Sequence, residues 1–402
     1  MNTDIIDYEE RVVELTRSLI SIPSLTGHED EIAKYLRDFL EDNGVAVELD
    51  EYGNVVAVEG EGSPVLVFNG HMDTVPPSEG WERDPFEPWL VGDRIYGLGS
   101  SDMKGGLAAL TLAFLALRKK GFKGTLVYTA VVGEEGGEKW GSEYVASRGV
   151  LSRMNVNGII VGEGSVFEKR ELALRVGHGG SVRFKIIFNG KAYHSSRPEM
   201  GVNAIYRAVD FIEAISNLNS AIKPRILPIV TVNKVRKGVV SVTMIKGGRK
   251  INVVPDRCEV YVDRRLVYGE DVEEAIAQIK GIAESLVDKH KHEYDTEEKC
   301  VKVEVEIFPK HRPPYMIDLS TDGGRRLYDI AITAFKEVLG KEPHRIYTMG
   351  YTDAEILSYY TKAPALIIGP GEVAHVPNEY VKIENLINCL RIYYTLGRLF
   401  LR

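Results

Sequence analysis

Cysteine is scarce: the 402 residues hold three, Cys258, Cys300 and Cys389. An odd, widely spaced set offers neither a disulfide framework nor a Cys-rich zinc motif, so all three are expected to be reduced, partly buried thiols in a cytoplasmic protein. No run reaches the roughly 18 uninterrupted apolar residues of a membrane span. The N-terminal MNTDIIDYEERVVEL is acidic and amphipathic, unlike a signal peptide. Excess positive charge is missing too. Lys and Arg number 50 against 58 Asp and Glu, a formal net charge of -8. Such a chain has no electrostatic reason to seek nucleic acid or an anionic membrane. Internal repeats and low-complexity segments are lacking.

What is present is a globular balance, 44% hydrophobic and 27% charged, over a length that suggests two domains. DYEERVVELTRSLISIP and HEDEIAKYLRDFLEDNG carry helical spacing and stop at Pro23 and Gly44. The β-rich runs VAVELD, NVVAVEG and VLVFNG follow. MKGGLAALTLAFLALRKKG reads as a buried helix, and GTLVYTAVV and NGIIVG read as strands. Strands alternating with helices, in continuous apolar runs, predict an α/β layer around a mainly parallel sheet. After Gly177 the pattern changes. SVRFKIIFNGKAYH alternates, and the segments to VKVEVEIFP read βαββαβ, with PIVTVNKVRKG as the second strand. That is a ferredoxin-like α+β order. The α/β pattern then returns. The expected organisation is a catalytic domain over 1–177 and 314–402, interrupted by an inserted domain over 178–313.

In open parallel sheets, functional groups collect beyond the carboxyl ends of strands. His71 and Asp73 follow VLVF, Asp102 sits in GLGSSDMKGG, Glu134 and Glu135 follow VYTAVVG, Glu163 follows IIVG, and His375 follows ALIIG in GPGEVAHVP. Each alone also fits a turn, a cap or surface charge. Together, at successive strand ends, they point to a metal site. Imidazole and carboxylate without thiolate suit zinc, with cobalt or manganese as alternatives. Two ions sharing one bridging carboxylate need about five ligands. His71, Asp102, Glu135, Glu163 and His375 supply them, which leaves Glu134 as a general base.

The stretches GHMDTVP, GLGSSDMKGG, GEEGG, VGEGS, GKAYHSSRPEMGVNAI, INVVPDRCEVYVDRR, GYTDAEIL and GPGEVAHVPNEYV span nearly the whole chain. In that order they resemble the M20 family of di-zinc metallopeptidases and amidohydrolases. The resemblance implies a zinc-exopeptidase-like catalytic domain with an inserted lid and dimerisation domain. It implies that His71 and Glu163 hold one ion and Glu135 and His375 the other, with Asp102 bridging. Asp73 would hydrogen-bond the far nitrogen of His71. Glu134 would be general base and acid, and His194 would stabilise the oxyanion, often from the partner subunit. Asn252 and Arg265 would hold the substrate, Arg265 at a carboxylate.

Three departures stand out. Glu138, Lys139 and Trp140 enlarge the turn after the Glu pair and are expected to reshape the pocket rim. Glu355 stands two residues after Asp353, where many relatives carry Arg, which suggests a basic or smaller acyl substrate. Glu163 is Asp in some members. Of the other histidines, His28, His290, His292, His311 and His344 read as surface residues. His178 reads as part of a hinge made flexible by Gly177, Gly179 and Gly180. Trp81, Trp89 and Trp140 flank motif loops, as pocket walls or ordinary packing.

The expected activity is hydrolysis of the amide of an N-acyl amino acid, as in the acetylornithine deacetylase and succinyl-diaminopimelate desuccinylase branch. The protein would use two divalent ions, most simply zinc, with cobalt as an alternative. It would act on a small molecule as a homodimer formed through the lid. An exo-acting dipeptidase or carboxypeptidase is the alternative within the family. A non-catalytic metal- or ligand-binding paralogue is the alternative outside it.

Overall fold

The computed structural model describes residues 5–136, 140–168, 171–289, 302–309, 311–372 and 374–402. Cys300, His290, His292, Glu138 and Lys139 lie outside them. Cys258 and Cys389 are free and fully buried.

The larger sheet is mixed. Four central strands run parallel, in the order Gly124–Val131, Val65–His71, Gly158–Val161 and Ala365–Ile367. Their apolar runs are buried along their whole length, as strands covered on both faces must be. Antiparallel partners flank this block: Val55–Glu61 and Val47–Leu49 on one side, Leu174–His178 and Tyr315–Met316 on the other. Arg345–Thr348 pairs parallel to Leu174–His178. The parallel expectation thus holds at the centre, where helical crossovers link the strands, and gives way at the flanks.

Register decides what reaches the sheet's edge. His71 is level with Val131, and Asn69 with Val161. Glu163 and His71, each two residues further on, therefore leave adjacent strands at the same height. The helix Gly105–Lys120 is buried from Gly105 to Leu117, and at Gly106 it meets the sheet backbone with no side chain between. A Cβ on Gly106 would lie 2.0 Å from the Gly162 carbonyl oxygen, and one on Gly369 would lie 2.2 Å from the same atom. Three backbone segments that carry site residues are thereby held in direct contact.

The second sheet is antiparallel, in the order Val239–Gly247, Arg257–Leu266, Gly180–Asn189 and Lys302–Ile307. The helices Ala204–Ala221 and Val272–Lys289 pack on it around a core of its own that includes Phe184, Phe188, Phe211, Val260 and Ile279. Asn203 caps the first helix by accepting from the Ile205 and Tyr206 amides. The order is βαββαβ, but the second strand lies later than PIVTVNKVRKG. That segment contributes only Val235–Arg236, to a two-residue ladder with Arg225–Ile226 just before it. None of the described helices is long and apolar enough to cross a membrane.

His178 is buried, its Nδ1 donating to the Gly179 carbonyl at 2.9 Å. Burial and nearby Arg175 lower its pKa to about 3, so it stays neutral. The neighbouring glycines answer a need for room. Cβ atoms on Gly177 and Gly180 would sit 2.3 Å from the Tyr315 and Arg312 carbonyl oxygens, and none of Gly177, Gly179 and Gly180 has positive φ.

Gly106→Ala is expected to cost about 1–3 kcal/mol through overpacking against backbone that has no rotamer to yield. Urea unfolding monitored by circular dichroism measures it. An unchanged midpoint would contradict the direct helix–strand contact.

Candidate metal centre

Two triads face each other across one carboxylate. His71 Nε2 lies 3.1 Å from Asp102 Oδ1 and 3.2 Å from Glu163 Oε1. His375 Nε2 lies 3.3 Å from Asp102 Oδ2 and 3.0 Å from Glu135 Oε1. Within each triad the candidate ligand atoms are all within 4.8 Å of one another. Asp102 belongs to both and offers one oxygen to each. His375 reaches its place from a backbone at φ 62, a costly conformation for a non-glycine residue and one that clusters at functional sites.

The donors suit divalent cations. His71 Nδ1 donates to the Asp73 carbonyl at 2.9 Å, and a carbonyl can only accept, so Nε2 keeps its lone pair for a metal. Burial pushes the carboxyls of Glu134 and Glu135 up, and together with Asp102 it brings Glu163 to about 7. Hydrogen bonds to Asp102 and Glu135 raise His375 to about 11. Burial opposes charge on His71, but Asp102, Asp73 and Glu163 outweigh it and raise its pKa. Burial likewise works against ionised Asp102, yet contacts with His375 and His71 hold it low. The pocket thus has more buried carboxylate than its fixed cations neutralise, which is the condition two metal ions would relieve.

Asp73 does more than sit behind an imidazole. Its carboxylate is 3.5 Å from His71 Nδ1, beyond good hydrogen-bond range; the short contact is through its backbone carbonyl. The carboxylate accepts instead from Thr26 Oγ1 at 2.8 Å and from the Glu134 and Glu135 amides at 3.1 and 3.0 Å. It therefore fixes the turn that carries both the candidate base and a candidate ligand. Glu134 is buried, and its Oε1 has no hydrogen-bond partner among the described residues.

Asp102, Glu134, Glu135, Glu163 and His375 open on a cleft of about 530 Å³, which Arg175, Arg183, Arg265 and Tyr351 also line, with His71 and Asp73 buried behind them. His194 and Asn252 are not among its lining residues. The strand Gly180–Asn189 explains why. Its near end pairs Ser181 with Arg265, its far end pairs Asn189 with Arg257, and His194 follows Asn189. Arg183 lines the cleft, so the strand's far end at Asn189 stands about 20 Å further along the sheet, at about 3.3 Å per residue, and His194 with its bridge partner Val253 comes after that end. His194 is exposed, bonded through Nδ1 to Ser196 Oγ at 2.8 Å, and Ser195 donates to the Asn252 carbonyl at 3.1 Å. Glu355 also lies outside the cleft lining. His28, His311 and His344 are exposed, as expected.

Some contributors were not legible from spacing. Buried Glu379 accepts from the Ser101 and Asp102 amides at 2.8 and 3.0 Å and so fixes the bridging residue. Its place four residues after His375 was the only hint. Arg175, in an apolar strand, is held by the Gly350 carbonyl and faces Glu163, Asp102 and Glu134. Trp140 proves to be a wall. Its Nε1 donates to Asp353 Oδ1 at 3.3 Å, and the Arg312 guanidinium lies 3.4 Å from its ring centroid. Trp81 and Trp89 pack edge to face, and Trp89 stacks on Tyr96.

A centre of this kind at the carboxyl ends of a parallel block marks a metallohydrolase, and comparison identifies the family. Residues 67–398 match peptidase family M20/M25/M40, and the chain belongs to it. It is a metal-dependent hydrolase of amide bonds. A probable succinyl-diaminopimelate desuccinylase of Staphylococcus epidermidis is 26% identical, over 98% of both chains. An M20 family metallo-carboxypeptidase from Sulfolobus solfataricus shares the fold at TM-score 0.76 and 19% identity, covering 97% of this chain and 99% of that one. The YXEP protein of Bacillus subtilis, a dinuclear metal binding peptidase of the M20 family, superposes at TM-score 0.73 with 20% identity, over 98% and 99%.

His71→Ala is expected to lose metal outright. Asp73→Asn is expected to keep both imidazoles but weaken metal affinity or turnover by roughly 10–100-fold, by loosening the Glu134–Glu135 turn. Metal content per chain after dialysis checks this, and equal occupancy in wild type and His71→Ala would refute the ligand set.

Proposed function

We propose that the protein hydrolyses the amide bond of an N-acyl amino acid, in the manner of acetylornithine deacetylases and succinyl-diaminopimelate desuccinylases. The observation that carries this reading is Glu134: a buried carboxylate oxygen without a hydrogen-bond partner among the described residues, lining the same cleft as Asp102, Glu135, Glu163 and His375. His71 and Glu163 would hold one divalent ion, Glu135 and His375 the other, and Asp102 both, with zinc or cobalt suited to these donors. The bound ions would supply Lewis acidity toward water and the scissile carbonyl. Glu134 takes a proton from the attacking water and returns it to the leaving nitrogen. Its raised pKa, caused chiefly by burial, suits it to both halves of that transfer. Arg265, whose guanidinium is 3.0 Å from Asp263, and Arg183 present cationic groups to a substrate carboxylate.

Residues 178–313 act as the lid and dimerisation unit in this reading. Support comes from exposed apolar side chains on one helix and the edge strand: Tyr206, Val209, Met244 and Ile245, with Ile251 fully exposed nearby. A partner subunit would bring His194 to the oxyanion and Asn252 to the substrate, which one chain does not do.

Glu134→Gln is expected to lower kcat by about 10²–10⁴-fold without changing metal content. The assay is a panel of N-acetyl-ornithine, N-succinyl-diaminopimelate, other acyl amino acids and dipeptides, run on metal-reconstituted protein. Cleavage of dipeptides alone would favour the exopeptidase alternative. No cleavage of any member, with Glu134→Gln indistinguishable from wild type, would favour a non-catalytic paralogue. Chelation should abolish turnover and zinc or cobalt restore it; turnover at confirmed zero metal would refute the metal requirement.

Mixing the separately inactive Glu134→Gln and His194→Ala proteins should restore part of the activity if His194 serves the partner's cleft. A mixture as inactive as its components would place His194 in its own subunit's chemistry.

A further inference from the structure

A second cavity, of about 750 Å³, shares no lining residue with the metal cleft. A stack of three side chains stands between them. Tyr351 lines the cleft, Trp140 lines the cavity, and the Arg312 guanidinium lies 4.0 and 3.4 Å from their ring centroids.

Glu355, on the helix Ala354–Thr361, lines this cavity. It is only 7% exposed, and its carboxylate makes no hydrogen bond or ion pair with any described residue. The cation that acts on it is Arg312, which also faces Glu134 and Asp353 and cannot neutralise all three. Burial pushes the Glu355 carboxyl up to about 7, against Arg312 and with Asp353 and Glu143 adding to the rise.

The other acids in the lining have other roles. Glu143 accepts from the Tyr360 hydroxyl at 3.0 Å, Glu270 is paired with Arg264, Asp271 caps the Glu274 amide at 2.9 Å, and Glu273 is exposed at the rim. Trp140, Tyr268, Tyr359 and Tyr360 supply aromatic surface. No Lys or Arg is among the described residues that line the cavity, and His311 is its one basic side chain.

A desolvated carboxylate with no direct partner among the described residues is costly to keep, and aromatic rings in the wall of the same cavity favour a cation over water. We propose that this cavity is a binding site for a small organic cation, a protonated alkylamine or alkylguanidinium, held by Glu355 within the aromatic wall. Inorganic cations fit less well: Glu143, Glu270 and Asp271 are engaged and Glu273 is exposed, so Glu355 beside aromatic rings lacks the oxygen donors, roughly six or more, that a hard cation needs. The site uses none of the cleft residues, so it stands whatever amide the metal centre cleaves.

The test is isothermal titration of the full-length, metal-loaded protein with n-butylammonium and n-butylguanidinium chloride, with n-butanol and sodium butyrate as neutral and anionic controls. Saturable binding of the two cations and of neither control is expected. Glu355→Gln should weaken it by about tenfold or more, as loss of a charge-assisted bond does. Tyr359→Ala alters a side chain that is 58% exposed, so folding should be unaffected, and it should also weaken binding. Glu134→Gln should leave saturable binding in place, weakened at most slightly as Arg312 acts more fully on Glu355, which separates this cavity from the cleft. No saturable binding, equal affinity in a folded Glu355→Gln protein, or loss in Glu134→Gln would each overturn the proposal. If Glu355→Gln does not fold, equal affinity in Tyr359→Ala overturns it.

Discussion

One carboxylate shared by two imidazoles organises this molecule. Asp102 sits between His71 and His375 with an oxygen toward each, inside a pocket where Glu134, Glu135, Glu163 and Asp353 are also removed from water. So many desolvated carboxylates repel one another unless cations are supplied. Arg175 and Arg312 supply two fixed positive charges, and the imidazoles share protons with the acids. The geometry is that of a pocket completed by divalent ions. Every nearby device keeps Asp102 in the middle: Glu379 grips its amide, and the helix that follows it is pressed onto the sheet through bare glycine backbone.

The surrounding residues divide the work in ways their types do not announce. Asp73 orients His71 through its backbone carbonyl and spends its carboxylate on the Glu134–Glu135 turn. One short segment thus aligns a ligand from one strand with a base and a ligand from the next. Arg312 is stacked between Trp140 and Tyr351 and so stands between two cavities, answering to carboxylates on both sides. The second sheet delivers Arg183 and Arg265 at its near end and carries His194 away at its far end. A single chain therefore brings both candidate metal triads together without bringing His194 or Asn252 to the cleft lining.

Much of this was legible in the chain. Runs such as VLVF, LVYTAVV and IIVG can only be strands buried on both faces, and each stops at a His or Glu. The helix GGLAALTLAFLAL has no polar face, so it had to lie inside. The βαββαβ order was readable too, although its second strand was misplaced because VTVNKV alternates as well as VVSVTMIKG does. The glycines around His178 suggested freedom, yet they serve close backbone contact. Glu379, Arg175 and Arg312 were not legible as contributors, because their neighbours lie far away along the chain. Glu379, for instance, grips amides 277 and 278 positions distant.

The sequence by itself determined the elements, the ligand types and the strand ends at which they stand, since periodicity and apolar runs act locally. Tertiary structure alone decided which oxygen faces which nitrogen, which carboxylates lack partners among the described residues, and that His194 is not in the cleft lining. Those outcomes depend on strand register, on close packing and on desolvation, which arise only when segments distant in the chain are brought together.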